Sequence, residues 1–384
     1  MLEVDMTRVR DDDACPGALH VHQAADGALA RIRLPGGMIT AKQLEALALA
    51  AIEFGSPAME LTSRGNVQLR AITDTEGLAD AVAAAGLLPS ATHERVRNIV
   101  ASPLSGRRGG LGDVRALVGE LDVAIQARPS LAQLPGRFWF SLDDGSADVS
   151  GLDADVGAQL LDAGRAALLV AGVDTGVRMA VGDVVETLLL VADNFLAVHG
   201  KAWRAVELTD IGPLLSGLSR TEEPGVSWAP VTRSPAGWIE QDDGRVTLGA
   251  AIRLGVLDAR TAEFLAAVEA PLVITPWRSV LLCDLDEGVA DVALRVLAPL
   301  GLVFDADSPW LSVSSCTGSP GCEHSVADVR SDAADAADAA STAQPSTTAV
   351  HRHFVGCERA CGSPPVGEVL VATGTGYLPR TERP

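Results

Sequence analysis

The sequence predicts a mixed α and β fold (α+β) whose core is built from two related halves. The strand-like segment 60–72, which contains Arg64, resembles the segment 273–285, which contains Arg278. Each segment is preceded by a further matching unit, an extended stretch followed by a helical run, at residues 30–52 and 250–268. Duplicated strand–helix–strand units so far apart in the chain predict a pseudo-symmetric core.

The chain of 384 residues is too long for one small core, so we expect several structural parts. Changes in composition predict four of them: an N-terminal arm with the first half-repeat at 1–80, an α/β region at 86–233, the second half-repeat at 235–300 and a cysteine-rich segment at 301–384. Within the last part, residues 323–340 are rich in alanine and aspartate and predict a helix. Residues 341–348 predict a flexible loop.

Four of the six cysteines form one pattern, with five residues between Cys316 and Cys322 and three between Cys357 and Cys361. Thiolates in two close pairs can hold a tetrahedral metal ion or an iron–sulfur cluster. Zinc sites usually leave about two to four residues within a pair, so the first spacing favours iron–sulfur. Four unrelated cysteines are the alternative. Cys283 lies in an apolar segment typical of a buried strand.

The charge pattern limits the partners of this protein. Its formal net charge of −20 disfavours nucleic acid. No apolar stretch is long enough to span a membrane, and the first residues lack the apolar core of a signal peptide. A cytoplasmic location follows, in which thiols stay reduced. Nearly all basic residues are arginines, which grip carboxylates with two parallel hydrogen bonds, so arginine clusters predict an anion site.

Several short motifs, taken with the cysteines, resemble the sulfite and nitrite reductase superfamily. They are residues 62–68 (TSRGNVQ), Arg97-Asn98 and residues 134–139 (LPGRFW). The resemblance covers nearly the whole chain. It implies two ferredoxin-like half-repeats and cluster-binding α/β domains of the sulfite/nitrite reductase type, related by a pseudo-two-fold axis. It also implies that Cys316, Cys322, Cys357 and Cys361 hold a 4Fe-4S cluster.

Other segments are more similar to the precorrin-3B synthase branch of that superfamily: residues 15–19 (CPGAL), 25–35 (ADGALARIRLP) and 356–362 (GCERACG). This similarity implies an oxidoreductase of aerobic cobalamin biosynthesis. Such a monooxygenase hydroxylates precorrin-3A at C20 with O2 and forms a γ-lactone. Electrons would come from a donor protein or an NAD(P)H-linked reductase, because the chain has no dinucleotide fingerprint.

Two alternatives remain open. One is a sirohaem-dependent sulfite or nitrite reductase, and sirohaem is expected only in that case. Trp139 argues against it, since sulfite reductases carry an anion-binding lysine at the corresponding position. The other is a cluster-bearing electron-transfer module without enzymatic activity. Duplicated halves that share an arginine cleft are more than electron transfer requires.

The resemblance also implies residues that bind the tetrapyrrole, whose carboxylates need fixed cations. They are Arg64, Arg97, Arg137, Arg278, Asn66 and Asn98, with Arg31, Arg33 and Arg70 as a second group. For each arginine the alternative is a surface position or a structural salt bridge. A mononuclear non-haem iron is a further expectation. The pairs His20/His22 and His351/His353 can each share a strand face, but neither has a carboxylate partner in sequence, so we assign no iron ligands and no general acid or base.

Overall fold

The computed structural model describes residues 13–225, 227–342 and 350–380. The start of the chain, and most of the predicted loop 341–348, lie outside the described residues. The fold is the predicted α+β type, with four β-sheets flanked by helices. In the described part of the chain, no helix combines the length and apolarity needed to cross a membrane.

The first part of the chain alternates strands and helices. Its elements are β1 (His22–Ala24), β2 (Gly27–Ile32), β3 (Met38–Ile39), α1 (Ala41–Phe54), β4 (Ala58–Leu61), β5 (Val67–Ile72) and α2 (Thr75–Ala84). Helix α1 begins at Thr40, whose side chain accepts from the Gln43 amide while the Gln43 side chain accepts from the Thr40 amide. This reciprocal cap satisfies two backbone donors that a helix start otherwise leaves unpaired.

The second part contains one five-stranded sheet. Its elements are β6 (Ile99–Ala101), α3 (Arg115–Ala127), β7 (Phe140–Asp143), β8 (Val156–Leu160), β9 (Arg165–Val170), β10 (Val173–Ala180) and α4 (Val184–Val198). Strands β6, β7 and β8 are parallel, and β9 and β10 continue the sheet antiparallel. The rings of Phe138, Phe140 and Phe195 meet in its core, with centroid distances of 5.4 and 4.8 Å.

The third part repeats the pattern of the first. Its elements are β11 (Gly237–Glu240), β12 (Val246–Ala251), β13 (Val256–Asp258), α5 (Ala259–Ala266), β14 (Leu272–Ile274), β15 (Ser279–Leu285) and α6 (Glu287–Leu297). Asp258 caps the start of α5, because its side-chain carboxylate accepts hydrogen bonds from the amides of Arg260 and Thr261. The repeat inferred from sequence is therefore present as structure.

The fourth part forms a smaller sheet. Its elements are β16 (Val313–Ser315), α7 (Val329–Thr342), β17 (Arg352–Val355), β18 (Glu368–Ala372) and β19 (Tyr377–Pro379). Strands β16, β17 and β18 are parallel, and β19 is antiparallel to β18. The alanine-rich helix predicted from sequence is α7, which buries Val329, Ala333 and Ala337 on one face.

The two half-repeats exchange an edge strand. Strand β13 of the second half pairs with β4 of the first, and β3 of the first half pairs with β14 of the second. The resulting sheet orders are β1-β2-β5-β4-β13 and β11-β12-β15-β14-β3. A single hydrophobic core spans both halves, from Leu44 and Met59 in the first to Leu265 and Leu282 in the second. The halves are thus interlocked rather than merely adjacent.

The turns that connect the paired strands keep the register in which the segments 60–72 and 273–285 align. After β4, the Thr62 amide donates to the Asn66 carbonyl and the Gly65 amide donates to the Thr62 carbonyl. After β14, Thr275, Arg278 and Ser279 make the same two bonds. Gly65 and Arg278 also share a left-handed φ, of 65° and 58°. Gly65, not Arg64, is therefore the structural counterpart of Arg278.

Candidate functional site

Two connected cavities lie where the half-repeats meet the other two sheets. The larger, which we call the arginine groove, has a volume of about 890 Å³. The smaller, the tryptophan chamber, has a volume of about 330 Å³ and is lined in part by Trp139, Trp277 and Trp310. Arg64 and Arg278 line both. These volumes fall in the range that small-molecule and cofactor sites usually have.

Seven arginines line the groove: Arg31, Arg64, Arg137, Arg204, Arg278, Arg330 and Arg359. Arg204 pairs with Asp155 at 2.8 Å, and Arg330 pairs with Glu60. Within the described residues, no carboxylate forms an ion pair with the other five: Arg31, Arg64, Arg137, Arg278 and Arg359. In a chain of net charge −20, this concentration of unneutralised cations marks a site for an anionic ligand.

Arg64 lies at the junction of the two cavities. Its guanidinium lies over the Trp139 ring at 5.7 Å, and Arg204 lies over the same ring at 5.8 Å. Burial, aided by the like charge of Arg204, lowers the pKa of Arg64 to about 9. Burial also lowers the pKa of Arg278. A bound anion would reverse this electrostatic penalty, because an opposite charge favours the protonated form.

Two further unneutralised arginines of the groove are held by neutral neighbours. Arg31 donates to the Gln68 side-chain oxygen at 2.7 Å. Arg137 lies over the Trp203 ring at 4.9 Å. An aromatic face orients a guanidinium without cancelling its charge, so Arg137 stays available to a carboxylate.

Three of the residues predicted to bind the ligand make structural hydrogen bonds instead or in addition. Arg97 is buried and makes a bidentate pair with Asp122 on α3, at 2.6 and 2.8 Å. It does not reach the groove, so the structural salt bridge is the correct interpretation and we remove Arg97 from the binding set. Asn98 is buried and donates to the Gly136 carbonyl at 2.9 Å, while Asn66 lines the groove and donates to the Asn98 side chain at 3.3 Å.

Cys15 is exposed to the groove rather than enclosed in the core. Its thiol donates to the Gly136 carbonyl at 3.3 Å and accepts from Arg31 and Arg33, each at 3.4 Å. The sequence by itself favours an inert buried thiol at Cys15 over a position near the site, and the structure shows the second. Arg33 itself is buried behind Cys15, with its Nε atom unpaired.

The four patterned cysteines converge at the end of the fourth sheet. Cys316 follows β16 and Cys357 lies just beyond β17, and these strands are adjacent and parallel. Burial raises the pKa of Cys361, and the thiols of Cys316, Cys357 and Cys322 raise it further. All four thiols are free. The parallel register thus brings together two pairs that the sequence separates by 34 intervening residues.

The backbone around these thiols fits an iron–sulfur cluster. The Gly356 amide donates to the Cys316 sulfur at 3.4 Å, the kind of contact that stabilises cluster sulfurs. Arg70, itself paired with Asp26, donates to the Gly321 carbonyl at 2.7 Å and fixes the first cysteine loop. Arg70 is therefore a structural residue of this loop.

No site for a single metal ion is apparent among the described residues, where no three His, Cys, Asp or Glu side chains come close enough to share one ion. The cysteine set is compatible with this finding, because a cluster distributes its ligands over several irons. His20 instead contacts the buried carboxylate of Glu94 at 2.6 Å. His351 and His353 contact Ser314, at 2.7 and 2.8 Å. The described residues thus offer no ligand set for the expected mononuclear iron.

Sequence reasoning missed several residues of the site. They are Arg204, Arg330, Arg359, Trp203, Trp277 and Trp310. Arg359 stands between Cys357 and Cys361, so its position relative to the cysteines could have identified it. Trp277 is adjacent to Arg278 and could have been identified in the same way. The remaining four are distant in sequence from any motif, and only the fold brings them to the cavities.

Comparison with known proteins agrees with this fold and site. Residues 20–85 match the family described as the nitrite/sulfite reductase ferredoxin-like half domain. The structure of the Mycobacterium tuberculosis NirA protein superposes with a TM-score of 0.76 at 18% identity, covering 92% of this chain and 73% of that one. The chain is thus similar in sequence to the nitrite/sulfite reductase half domain over residues 20–85, and it shares the fold of NirA over most of its length.

One relative matches this chain almost end to end. Precorrin-3B synthase from a Sinorhizobium species is 27% identical over 383 residues, covering 95% of this chain and 81% of that protein. Ferredoxin–nitrite reductases from Synechococcus elongatus and Leptolyngbya laminosa are each 32% identical, but over only 30% and 28% of this chain and 25% and 23% of theirs. The chain is thus similar to a precorrin-3B synthase over its whole length and to nitrite reductases over a part.

Proposed function

We propose that this enzyme is a precorrin-3B synthase-like monooxygenase of aerobic cobalamin biosynthesis. It would hydroxylate precorrin-3A at C20 with O2 and form a γ-lactone. In this reaction one oxygen atom of O2 enters the tetrapyrrole and the other leaves as water, with two electrons from a donor protein or an NAD(P)H-linked reductase. The end-to-end similarity to a precorrin-3B synthase supports this substrate over the sulfite and nitrite of the reductases.

The observation that carries the proposal is the set of five arginines without an ion pair, among the described residues, in one groove beside the cysteines. Precorrin-3A carries many acetate and propionate side chains, and a guanidinium binds a carboxylate through two parallel hydrogen bonds. Arg31, Arg64, Arg137 and Arg278 would each hold one such side chain. Their spread over the groove would fix the orientation of the macrocycle, and Asn66 would offer an additional polar contact.

Cys316, Cys322, Cys357 and Cys361 would hold the 4Fe-4S cluster, which when bound supplies single electrons. The groove is lined by Cys316 and Cys361, so the ligand and the cluster would be neighbours. Trp139 shields this junction from water, being 4% exposed. The protein's own contribution is therefore to bind and orient the tetrapyrrole beside the electron source and to exclude solvent.

Turnover of precorrin-3A tests the proposal. Anaerobically purified protein with an intact cluster should convert precorrin-3A only when both reductant and O2 are added, and ¹⁸O₂ should place one labelled oxygen in the product. Stoichiometric sirohaem in the purified protein, with anaerobic reduction of sulfite or nitrite, would instead support the reductase. A protein with a cluster but neither activity would point to electron transfer.

Cysteine variants test the cluster assignment separately. Cys316→Ser and Cys357→Ser should each lose the visible iron–sulfur absorbance. Cys283→Ser is the matched control, because Cys283 is fully buried in β15 and burial raises its pKa to about 11. An intact cluster in all three variants would contradict the assignment.

A further inference from the structure

The backbone of the fourth cysteine is held by a side chain that also faces the ligand cavities. Arg278 donates from Nη2 to the carbonyl oxygen of Gly362, the residue after Cys361, at 3.0 Å. The same side chain lines both the arginine groove and the tryptophan chamber. One guanidinium therefore connects the cluster segment to the surface that a ligand would occupy.

A second contact holds the neighbouring carbonyl. His353 lies 3.0 Å from the Cys361 carbonyl oxygen through Nε2, and a carbonyl can only accept, so this nitrogen carries the proton. Its other ring nitrogen, Nδ1, lies 2.8 Å from the Ser314 hydroxyl and accepts from it in the neutral ring. Ser314 in turn accepts from His351, which lines the chamber.

Arg278 combines an unfavourable backbone conformation with a tightly packed side chain. It adopts a left-handed φ of 58°, a conformation that side chains other than glycine rarely take. Gly255 and Gly362 lie against its side chain. A Cβ on either glycine would lie 2.7 Å from Arg278, from Cδ in the first case and from Nη2 in the second. Unfavourable backbone retained in this way is often associated with function.

We propose that Arg278 and His353 are positioning residues that clamp the Cys361–Gly362 backbone, and that a carboxylate bound in the groove is sensed by the cluster through Arg278. This inference rests on the proposed function. Without ligand, Arg278 contributes an unneutralised positive charge beside the cluster segment. A bound carboxylate neutralises it, so the more negative, reduced form of the cluster becomes less favourable. Ligand binding thus lowers the reduction potential.

The test uses the cluster-containing protein and uroporphyrin, a stable porphyrin with eight carboxylates, as the probe. Binding is measured by fluorescence quenching, and the reduction potential by a titration monitored by electron paramagnetic resonance. In the wild type, saturating uroporphyrin should lower the potential. In Arg278→Gln, the ligand-free potential should already be lower, and the shift at saturation should shrink by half or more.

Arg31→Gln is the matched control, because Arg31 lines the same groove but contacts Gln68 and Cys15 rather than the cluster segment. It should weaken binding yet keep the wild-type potential without ligand and the full shift at saturation. If Arg278→Gln fails to retain its cluster, Arg278→Lys replaces it, and the retained charge should preserve most of the shift.

An equal potential shift in Arg278→Gln and the wild type at saturation would overturn the sensing role. An equal ligand-free potential in the two proteins would overturn the clamp. Failure of the wild type to bind uroporphyrin would count against the proposed function, and the ligand-free comparison would then decide the clamp by itself.

Discussion

At the scale of single residues, the site is defined by arginines whose charge nothing in the described structure cancels. Arg97 differs from them: it belongs to the same set of sequence motifs, but its charge is neutralised by an ion pair with Asp122. Arg64 has no such partner, is half-buried, and has a pKa that desolvation lowers to about 9. A buried cation without a counter-ion destabilises the folded protein, so its retention is best explained by a ligand that supplies the missing negative charge.

The Arg64→Gln variant should show this exchange of stability for binding. We expect the affinity for uroporphyrin to fall about ten- to a hundredfold, since a hydrogen bond to a charged group contributes about 1.5–3 kcal/mol. The free energy of unfolding without ligand should not fall, because an unpaired buried charge is removed. Calorimetric titration and urea unfolding measure the two effects. Arg165→Gln, at an exposed ion pair with Asp162, is the control and should leave binding unchanged.

Asp148 gives the folded state a pH dependence of its own. Burial, with the nearby carboxylates of Asp143 and Asp144, raises its pKa to about 7. The unfolded chain releases this proton near the usual value for aspartate, so the folded state binds more protons between the two values. Stability should therefore decline as the pH rises from about 4 to 7.

Replacing Asp148 with asparagine should remove that decline and raise the urea midpoint at pH 8 above that of the wild type. Urea unfolding at a series of pH values measures both. Asp335→Asn, at an exposed position on α7, should leave the profile unchanged. A wild-type profile that is flat over this interval would contradict the expected role of Asp148.

At the scale of elements, the exchange of β3 and β13 joins the two half-repeats into one unit. Leu257 on β13 is 1% exposed and pairs with Met59 of the other half. Each sheet thus completes its edge with a strand from the other half, which also covers backbone groups that would otherwise face solvent. Neither half can keep its full sheet when the other unfolds.

The Leu257→Ala variant tests this coupling. A buried leucine-to-alanine change costs about 2–5 kcal/mol, and here the loss should lower the unfolding midpoint of both halves together. Fluorescence of Trp238 would report unfolding of the second half, and hydrogen exchange in α1 would report unfolding of the first half. Val292→Ala, on an exposed face of α6, should have little effect. Two separated transitions would show that the halves unfold independently.

At the scale of the whole molecule, charge is distributed unevenly. The chain has a net charge of −20, yet arginines gather in one groove. Excess charge of one sign destabilises a compact state by self-repulsion, and at 0.1 M salt the repulsion between exposed charges more than about 10 Å apart is largely screened. The acidic surface therefore lowers the stability of the folded protein, whereas the basic groove favours anionic ligands.

Added sodium chloride should accordingly stabilise the ligand-free protein. We expect the urea midpoint to rise between about 0.02 and 0.5 M salt, because screening weakens the repulsion among surface carboxylates more than it weakens the buried ion pairs. Potassium chloride should give the same increase. A falling midpoint would mean that surface ion pairs such as that of Arg178 with Glu222 dominate the balance.

The sequence by itself determined the fold class, the duplicated halves and the cysteine pattern, because these follow from periodicity, repetition and close spacing along the chain. It also singled out Arg64, Arg137 and Arg278, which lie in local motifs. The tertiary structure alone decided that Arg97 is paired with Asp122 and that the halves exchange strands. Both features depend on contacts between residues that are far apart in the sequence, and a local sequence pattern does not specify such contacts.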